Sequence, residues 1–360
     1  MVKKARESNI ELLRILSILG VILLHYNHPD IGGAMAAARP GSINQIFVYF
    51  TESVFIVAVN LFILITGYFL STSQKRQPYK ILWLFVQVIA FSLGLYIVEI
   101  ILGAATFSWK TLLMELVPDN YFVLLYSTLY FISPYINLLL QKMERPALRK
   151  MLILFGILFS VLPTLVDLSG DILNKSWNGL YTISSQGSQQ GYTIVNFVLM
   201  YMLGAYLRRD DSKQEKPAHL VLAILGNAVL LTLWSFLGNS FGLPTDRSGL
   251  AYCNPLIIIN AVLIFQLFQH ITIKESRIIN GLAKGVFTVF LLHIQLFRFT
   301  DIPAFAAGNP IIMVLHMVCT CIISYLVCWC IFFVYDRITR PIFAFIESKL
   351  PLRELDVPSL

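Results

Sequence analysis

The chain has 360 residues, of which 57% are hydrophobic and only 13% charged. A soluble domain carries about 25% charged residues, and the mean hydropathy here is +0.73. These values exclude an ordinary soluble enzyme, a disordered chain and a secreted disulfide scaffold. The formal charge of +7 would suggest nucleic acid in a soluble protein. Its placement along this chain points elsewhere, and no nucleic-acid partner is expected.

Crossing the hydrocarbon core takes about 20 apolar residues in a helix. Ten stretches qualify in chain order: 10–26, 45–70, 80–104, 118–140, 151–168, 192–207, 218–237, 251–271, 281–299 and 310–334. Of these, 151–168 and 192–207 are short for a span. None shows the period-2 alternation of a membrane barrel, so helices are expected. The predicted fold is all-α: a polytopic protein of the lipid bilayer with about ten transmembrane helices.

The loops set the orientation. With the N-terminus cytoplasmic, the inner segments hold 21 cations, among them Lys3, Lys4, Arg6 and Lys213, and the outer segments hold 5. Arg14 lies inside a span. Both termini are therefore expected in the cytoplasm, and most of the net charge is a topology signal. The first span follows a short basic start, as a signal peptide would. It carries Glu11, Arg14 and His25 and no clear small-residue cleavage site, so it reads as a retained span.

One integral membrane domain over residues 1–335 is expected, with a cytoplasmic interfacial tail over 336–360. The tail contains RITRPIFAFIESKL, which alternates basic and apolar residues as an inner-leaflet helix does. The longest outer loop, about 169–191, is rich in Gly, Ser, Asn and Gln. Four of the five cysteines form two C-x-C pairs in the last apolar run. Such neighbours diverge by about 200° on a helix, so packing is expected and no disulfide framework is.

Ionisable residues within spans are expensive and mark function. Glu11, Arg14 and His25 fall on one helical stripe about 60° wide. Arg14 and His25 lie about 16 Å apart along the axis. Glu11 and Arg14 are i,i+3 neighbours and can pair. Snorkelling would explain Arg14 and His25 singly, but not their common face with Glu11. The second span carries Asn60, Thr66 and Gly67, which suit helix packing as well as a site. Glu52 and Glu99 lie near outer ends, where solvation explains them. His293 and His316 lie in the last two spans, and of the two His293 is the stronger site candidate. His25, His28 and Asp30 are neighbours in sequence, but no fourth ligand is indicated and no metal is expected. The chain has no G-x-x-x-x-G-K-[ST], G-x-S-x-G or H-E-x-x-H motif.

The opening SNIELLRILSILGVILLHYNH resembles the first helix of the integral membrane acyltransferase 3 family, the bacterial O-acetyltransferases of surface and exported polysaccharides. The family's hallmark is an Arg, ten residues and a His, which here falls on Arg14 and His25. VNLFILITGYFL (59–70) resembles its second-helix pattern ending in Ser/Thr-Gly-Tyr/Phe. YFVLLYSTLYFISPYINLLL (121–140) is similar to an aromatic helix closed by Pro and Asn. GYTIVNFVLMYMLGAYLRR (191–209) and FTVFLLHIQLF (287–297) resemble later segments. Some members carry an arginine pair near the third helix. The nearest equivalent here is Lys75, Arg76 and Lys80, at a different spacing and equally suited to topology alone.

The resemblance implies acyl transfer from cytoplasmic acetyl-CoA, as donor substrate, to a carbohydrate hydroxyl in the bacterial plasma membrane. His25 is then the candidate general base. Arg14, with Lys75, Arg76 and Lys80, is a candidate for the anionic donor, and Glu11 holds Arg14. Asn60, Thr66 and His293 are candidates on the substrate side. Exopolysaccharide, teichoic acid, O-antigen and a small metabolite stay open as acceptors, as do acyl length and oligomeric state. A transporter or flippase of a lipid-linked sugar is the alternative. It would show broken helices in two related halves, and no such symmetry is visible. A non-catalytic membrane protein of the same fold is the third reading.

Overall fold

In a bilayer every backbone polar group must be satisfied within its own segment, so the apolar runs become helices. The computed structural model describes residues 7–184, 186–209, 215–243 and 246–356. Lys3, Lys4, Arg6 and Lys213 of the charge argument lie outside the described residues. All ten expected stretches are helical.

The principal helices are α1 (Ser8–Asn27), α2 (Ile43–Phe55), α3 (Ala58–Leu70), α4 (Pro78–Ile101), α5 (Tyr121–Lys142), α6 (Arg145–Gly156), α7 (Leu162–Leu173), α8 (Ile194–Arg208), α9 (Pro217–Ser240), α10 (Pro255–His270), α11 (Val286–Leu296) and α12 (Pro310–Lys349). Among the described residues, eight helical segments are long and apolar enough to cross a membrane. Of these, α2 with α3 forms one, α6 with α7 another, and Arg277–Phe299, which contains α11, a third. The other two expected spans, α8 and α10, have 15 and 16 residues. The chain is a multi-pass membrane protein.

The helix starts carry their signals. Ser42 accepts from the Gln45 amide, Thr193 from Asn196 and Asn254 from Leu256. Each satisfies an amide that has no partner within its helix. Pro78, Pro217 and Pro255 stand in first turns, where the missing N–H costs nothing. Between α6 and α7 the chain forms a π-turn, Ile157–Val161, just before Pro163. The wider turn accommodates a proline that would clash with the preceding carbonyls of a regular helix.

The described chain divides into two units. The first comprises residues up to Ser71 together with Leu140–Phe332. Here α1 packs against α2, α3, α10 and α11, and α9 packs against α2 and α10. The closest crossing joins α3 to α8. A Cβ on Gly67 would stand 2.1 Å from the Tyr201 carbonyl oxygen, and one on Gly204 would stand 2.1 Å from that of Leu64. The two backbones therefore touch, as small residues permit in membrane helices.

The second unit comprises Thr72–Leu139 and the chain from Phe333 onward. Two short strands, β1 (Lys75–Arg76) and β2 (Leu355–Asp356), pair antiparallel. Trp83 stacks on Phe343 at 3.8 Å between ring centroids. Its indole N–H donates to Glu347 Oε1 at 2.6 Å. α12 is a single 40-residue helix that continues through Pro341, so residues 336–349 are helical.

Gly204→Leu is expected to destabilise the protein by about 3 kcal/mol. Gly226→Leu serves as the control, because a Cβ there meets nothing within 4 Å. Thermal unfolding in detergent reads the difference, and equal midpoints would show that the α3–α8 crossing adjusts freely.

Candidate functional site

The polar stripe of α1 is intact, because the helix runs from Ser8 to Asn27 without a break. Towards its N-terminal end, Glu11 is buried at 7% exposure. Arg14 Nη1 lies 3.3 Å from Glu11 Oε1, and the Arg14 side chain stays 33% exposed. Its guanidinium stands 5.8 Å above the centroid of Phe69, at the end of α3. Arg208, from the end of α8, stands 4.7 Å over the neighbouring ring of Tyr68. Arg208 also lies 3.9 Å from Glu7 Oε1. The two arginines thus cover adjacent rings. The pairing of Glu11 with Arg14 follows from their i,i+3 spacing, whereas Arg208 reads in the sequence only as a topology charge, because the Tyr68 ring it covers lies on another helix.

At the opposite end of α1, His25 is half-buried. Its Nδ1 lies 2.6 Å from Nε2 of His293 on α11. The two rings are nearly parallel, at 10°, with centroids 4.9 Å apart. His293 is fully buried, and its Nδ1 lies 2.8 Å from the Val289 carbonyl oxygen. Phe297 meets the His293 ring edge-on at 6.1 Å. The structure therefore brings together His25 and His293, which are 268 positions apart.

The neighbours of His25 are also engaged. Tyr26 Oη lies 2.9 Å from His316 Nδ1, and His316 stacks on Phe305. The Asn27 amide donates to Glu52 Oε2 at 2.9 Å. The chain then folds back so that the Gly32 amide donates to the His25 carbonyl at 2.9 Å. A Cβ on Gly32 would lie 2.2 Å from the Tyr26 carbonyl oxygen, so this return demands glycine.

Asn60 is buried at 1% exposure. Its amide donates to the Tyr252 carbonyl at 2.8 Å, and its oxygen accepts from Asn196 Nδ2 at 3.0 Å. It thereby links α3, α8 and the segment before α10. Thr66 Oγ1 donates to the Phe62 carbonyl at 2.8 Å, one turn back in its own helix.

The basic loop of the second unit resolves into two kinds of residue. Lys75 and Lys80 are exposed, and Lys75 Nζ lies 3.4 Å from Asp356. Arg76 is buried at 1% exposure. The reason lies in Pro134, inside α5. Proline has no N–H for the carbonyl four residues back, which is that of Tyr130. That oxygen instead accepts from Arg76 Nε at 3.2 Å and from Ser133 Oγ at 2.7 Å. Arg76 Nη2 donates to Ser133 Oγ at 2.7 Å, and its Nη1 donates to the carbonyls of Ser73 and Lys75. The guanidinium also stands 5.4 Å over the Tyr130 ring. Arg76 therefore holds its own loop against α5.

Two buried acids were not singled out from the sequence. Asp167 accepts from Tyr181 Oη at 2.8 Å, and Asp171 accepts from the Ser248 amide at 3.3 Å. Both sit on α7, which runs further than the expected span of 151–168. They tie the loop after α7 and the segment before α10 to that helix. Among the described residues, no group of three or more His, Cys, Asp or Glu is gathered that could hold a metal ion. The five cysteines are free; Cys253, Cys321 and Cys328 are buried, and Cys319 and Cys330 are exposed.

A family model described as an acyltransferase domain (acyltransferase 3) matches residues 7–333. No curated protein and no solved structure matches the chain.

Arg76→Met is expected to destabilise the protein by about 2–3 kcal/mol, since the charged hydrogen bonds to Tyr130, Ser133, Ser73 and Lys75 are lost. Arg76→Lys recovers little of this, because an ammonium cannot span the same acceptors. A thermal midpoint unchanged in both variants would show that the loop does not depend on the guanidinium.

Proposed function

Because the chain belongs to the acyltransferase 3 family, we propose that this multi-pass membrane acyltransferase moves an acetyl group from acetyl-CoA to a carbohydrate hydroxyl. The proposed setting is the bacterial plasma membrane, with both termini in the cytoplasm and the acceptor a surface or exported glycan. The excess of cations assigned to the inner loops supports that orientation and suits an anionic donor.

The observation that carries the reading is the distribution of polar groups along α1. An ion pair, Glu11 with Arg14, stands near one end. A half-buried histidine stands near the other. With about 1.5 Å of rise per residue, Arg14 and His25 are about 16 Å apart on one face. In this proposal the donor's polar groups meet Arg14, and its acyl arm runs along α1 towards His25. Glu11 holds the guanidinium in place. Lys75 and Lys80 are further candidates for the donor's phosphates, by charge and exposure. Asn60 and Thr66 serve the substrate side through the helices they brace.

His25 takes the proton of the acceptor hydroxyl as the oxygen bonds to the acyl carbon. The C–S bond of the thioester breaks. The departing thiolate then takes the proton from His25, which restores the base and releases the free thiol.

The test supplies radiolabelled acetyl-CoA to membranes that contain the protein and examines the released surface glycans by mass spectrometry. Label on a glycan is expected, and its absence from all glycans would sink the reading. His25→Ala should lower transfer by about 100-fold or more with normal membrane insertion; undiminished transfer would remove His25 as the base. Arg14→Lys keeps the charge but loses the planar fork, and should raise the KM for acetyl-CoA roughly tenfold. An unchanged KM would make Arg14 structural.

A further inference from the structure

We propose that His293 is a positioning residue that fixes which nitrogen of His25 acts as the base, namely Nε2. This inference rests on the reading of His25 as the general base.

A backbone carbonyl can only accept a hydrogen bond. The Val289 carbonyl has no proton to give, so the contact at 2.8 Å places a proton on His293 Nδ1. A neutral imidazole carries one proton. His293 Nε2 is therefore the lone-pair nitrogen. The 2.6 Å contact to His25 then requires His25 Nδ1–H to donate. One proton is again the allotment of a neutral ring, so His25 Nε2 is left with the lone pair. The reverse direction would need both His293 nitrogens protonated, which places an imidazolium at a fully buried position.

The tautomer matters because only the lone-pair nitrogen can remove a proton, and the bond made by the other nitrogen decides which one that is. His293 is equipped to make that decision. Its Nδ1 is bonded one turn back in its own helix, Phe297 closes one edge, and the side chain is fully buried. His25, by contrast, is half-buried. The rigid ring thus holds the accessible one by Nδ1. When Nε2 receives the hydroxyl proton, the His25 imidazolium keeps its Nδ1–H bond to His293. A bond with a charged donor is the stronger kind, so the partnership tightens as the acyl–oxygen bond forms. The proton leaves from Nε2 to the thiolate, and His293 gains and loses nothing.

Four proteins test this: wild type, His25→Ala, His293→Leu and His293→Gln, each checked for membrane insertion and assayed with acetyl-CoA. Leucine fills space but cannot accept. A glutamine amide oxygen can accept in the place of Nε2. His293→Leu should lower kcat about 100-fold with the KM for acetyl-CoA unchanged. His293→Gln should recover activity to within about tenfold of wild type. The proposal is overturned if His293→Leu stays within about threefold of wild type while His25→Ala is inactive, or if glutamine is as poor as leucine. An active His25→Ala would instead overturn the base assignment on which it rests. A second measurement needs no His293 variant. Isotope-edited infrared difference spectra of ring-labelled wild type against His25→Ala report the tautomer of His25. The Nδ1–H band is expected, and the Nε2–H band would overturn the proposal.

Discussion

Most of the candidate site depends on α1 remaining one rigid helix. A turn of about 100° and a rise of about 1.5 Å per residue leave Glu11, Arg14 and His25 on one face, with no freedom in their spacing. The neighbours of α1 remove what freedom the helix itself has. A Cβ on Gly20 would stand 2.7 Å from the ring of Phe55, so α2 lies directly on the helix there. The fold-back at Gly32 closes the far end over His25. Other elements can then be built to meet fixed points. Phe69 meets Arg14 at one end, and His293 meets His25 at the other.

Around that helix, apolar surroundings govern the fate of each polar side chain. Away from water an unpaired polar group is costly, and several such groups are found in mutual service. Asn60, Asn196 and the Tyr252 carbonyl form one such set. Asp167 with Tyr181 forms another. Large apolar side chains such as Ile101, Leu222 and Ile311 are left exposed, as suits a lipid-facing surface. This division explains why a polar residue in a span is ambiguous by itself. Asn60 and His25 are both polar residues in spans, but Asn60 has both ends of its amide engaged by the protein. His25 is half-buried, and the contact to His293 engages its Nδ1.

Much of this architecture was legible in the sequence because hydropathy is a local property. All ten stretches are helical. The stretch 192–207 reads as short and is, whereas 151–168, which also reads as short, lies in the 29-residue segment Arg145–Leu173. The stretch 251–271 holds a helix of only 16 residues, because Pro255 starts it late. The stripe on α1 was legible for the same reason, since helical periodicity fixes it without tertiary knowledge. Contacts across long sequence separations were not legible. His293 stood out as an ionisable residue within a span, but nothing near it announces its partner. The basic loop shows the same limit. Lys75, Arg76 and Lys80 look alike as charges, yet two are exposed and one is buried. Only the fold separates them, through a carbonyl freed on another helix. The length of α7 was also missed, because Asp167 and Asp171 look like the end of a span until the partners that allow their burial are known.

The proline of α5 has a wider meaning. A helix-interior carbonyl normally has an amide partner four residues on. Pro134 opens a docking point on a surface that would otherwise be closed, and Arg76 is the plug. Neither residue makes sense without the other. An alanine at 134 would return the Tyr130 carbonyl to the helix ladder, while a small residue at 76 would leave that carbonyl to Ser133. The two positions, 58 residues apart in the chain, therefore act as one joint, in which an interruption in one helix becomes the mooring of a distant loop.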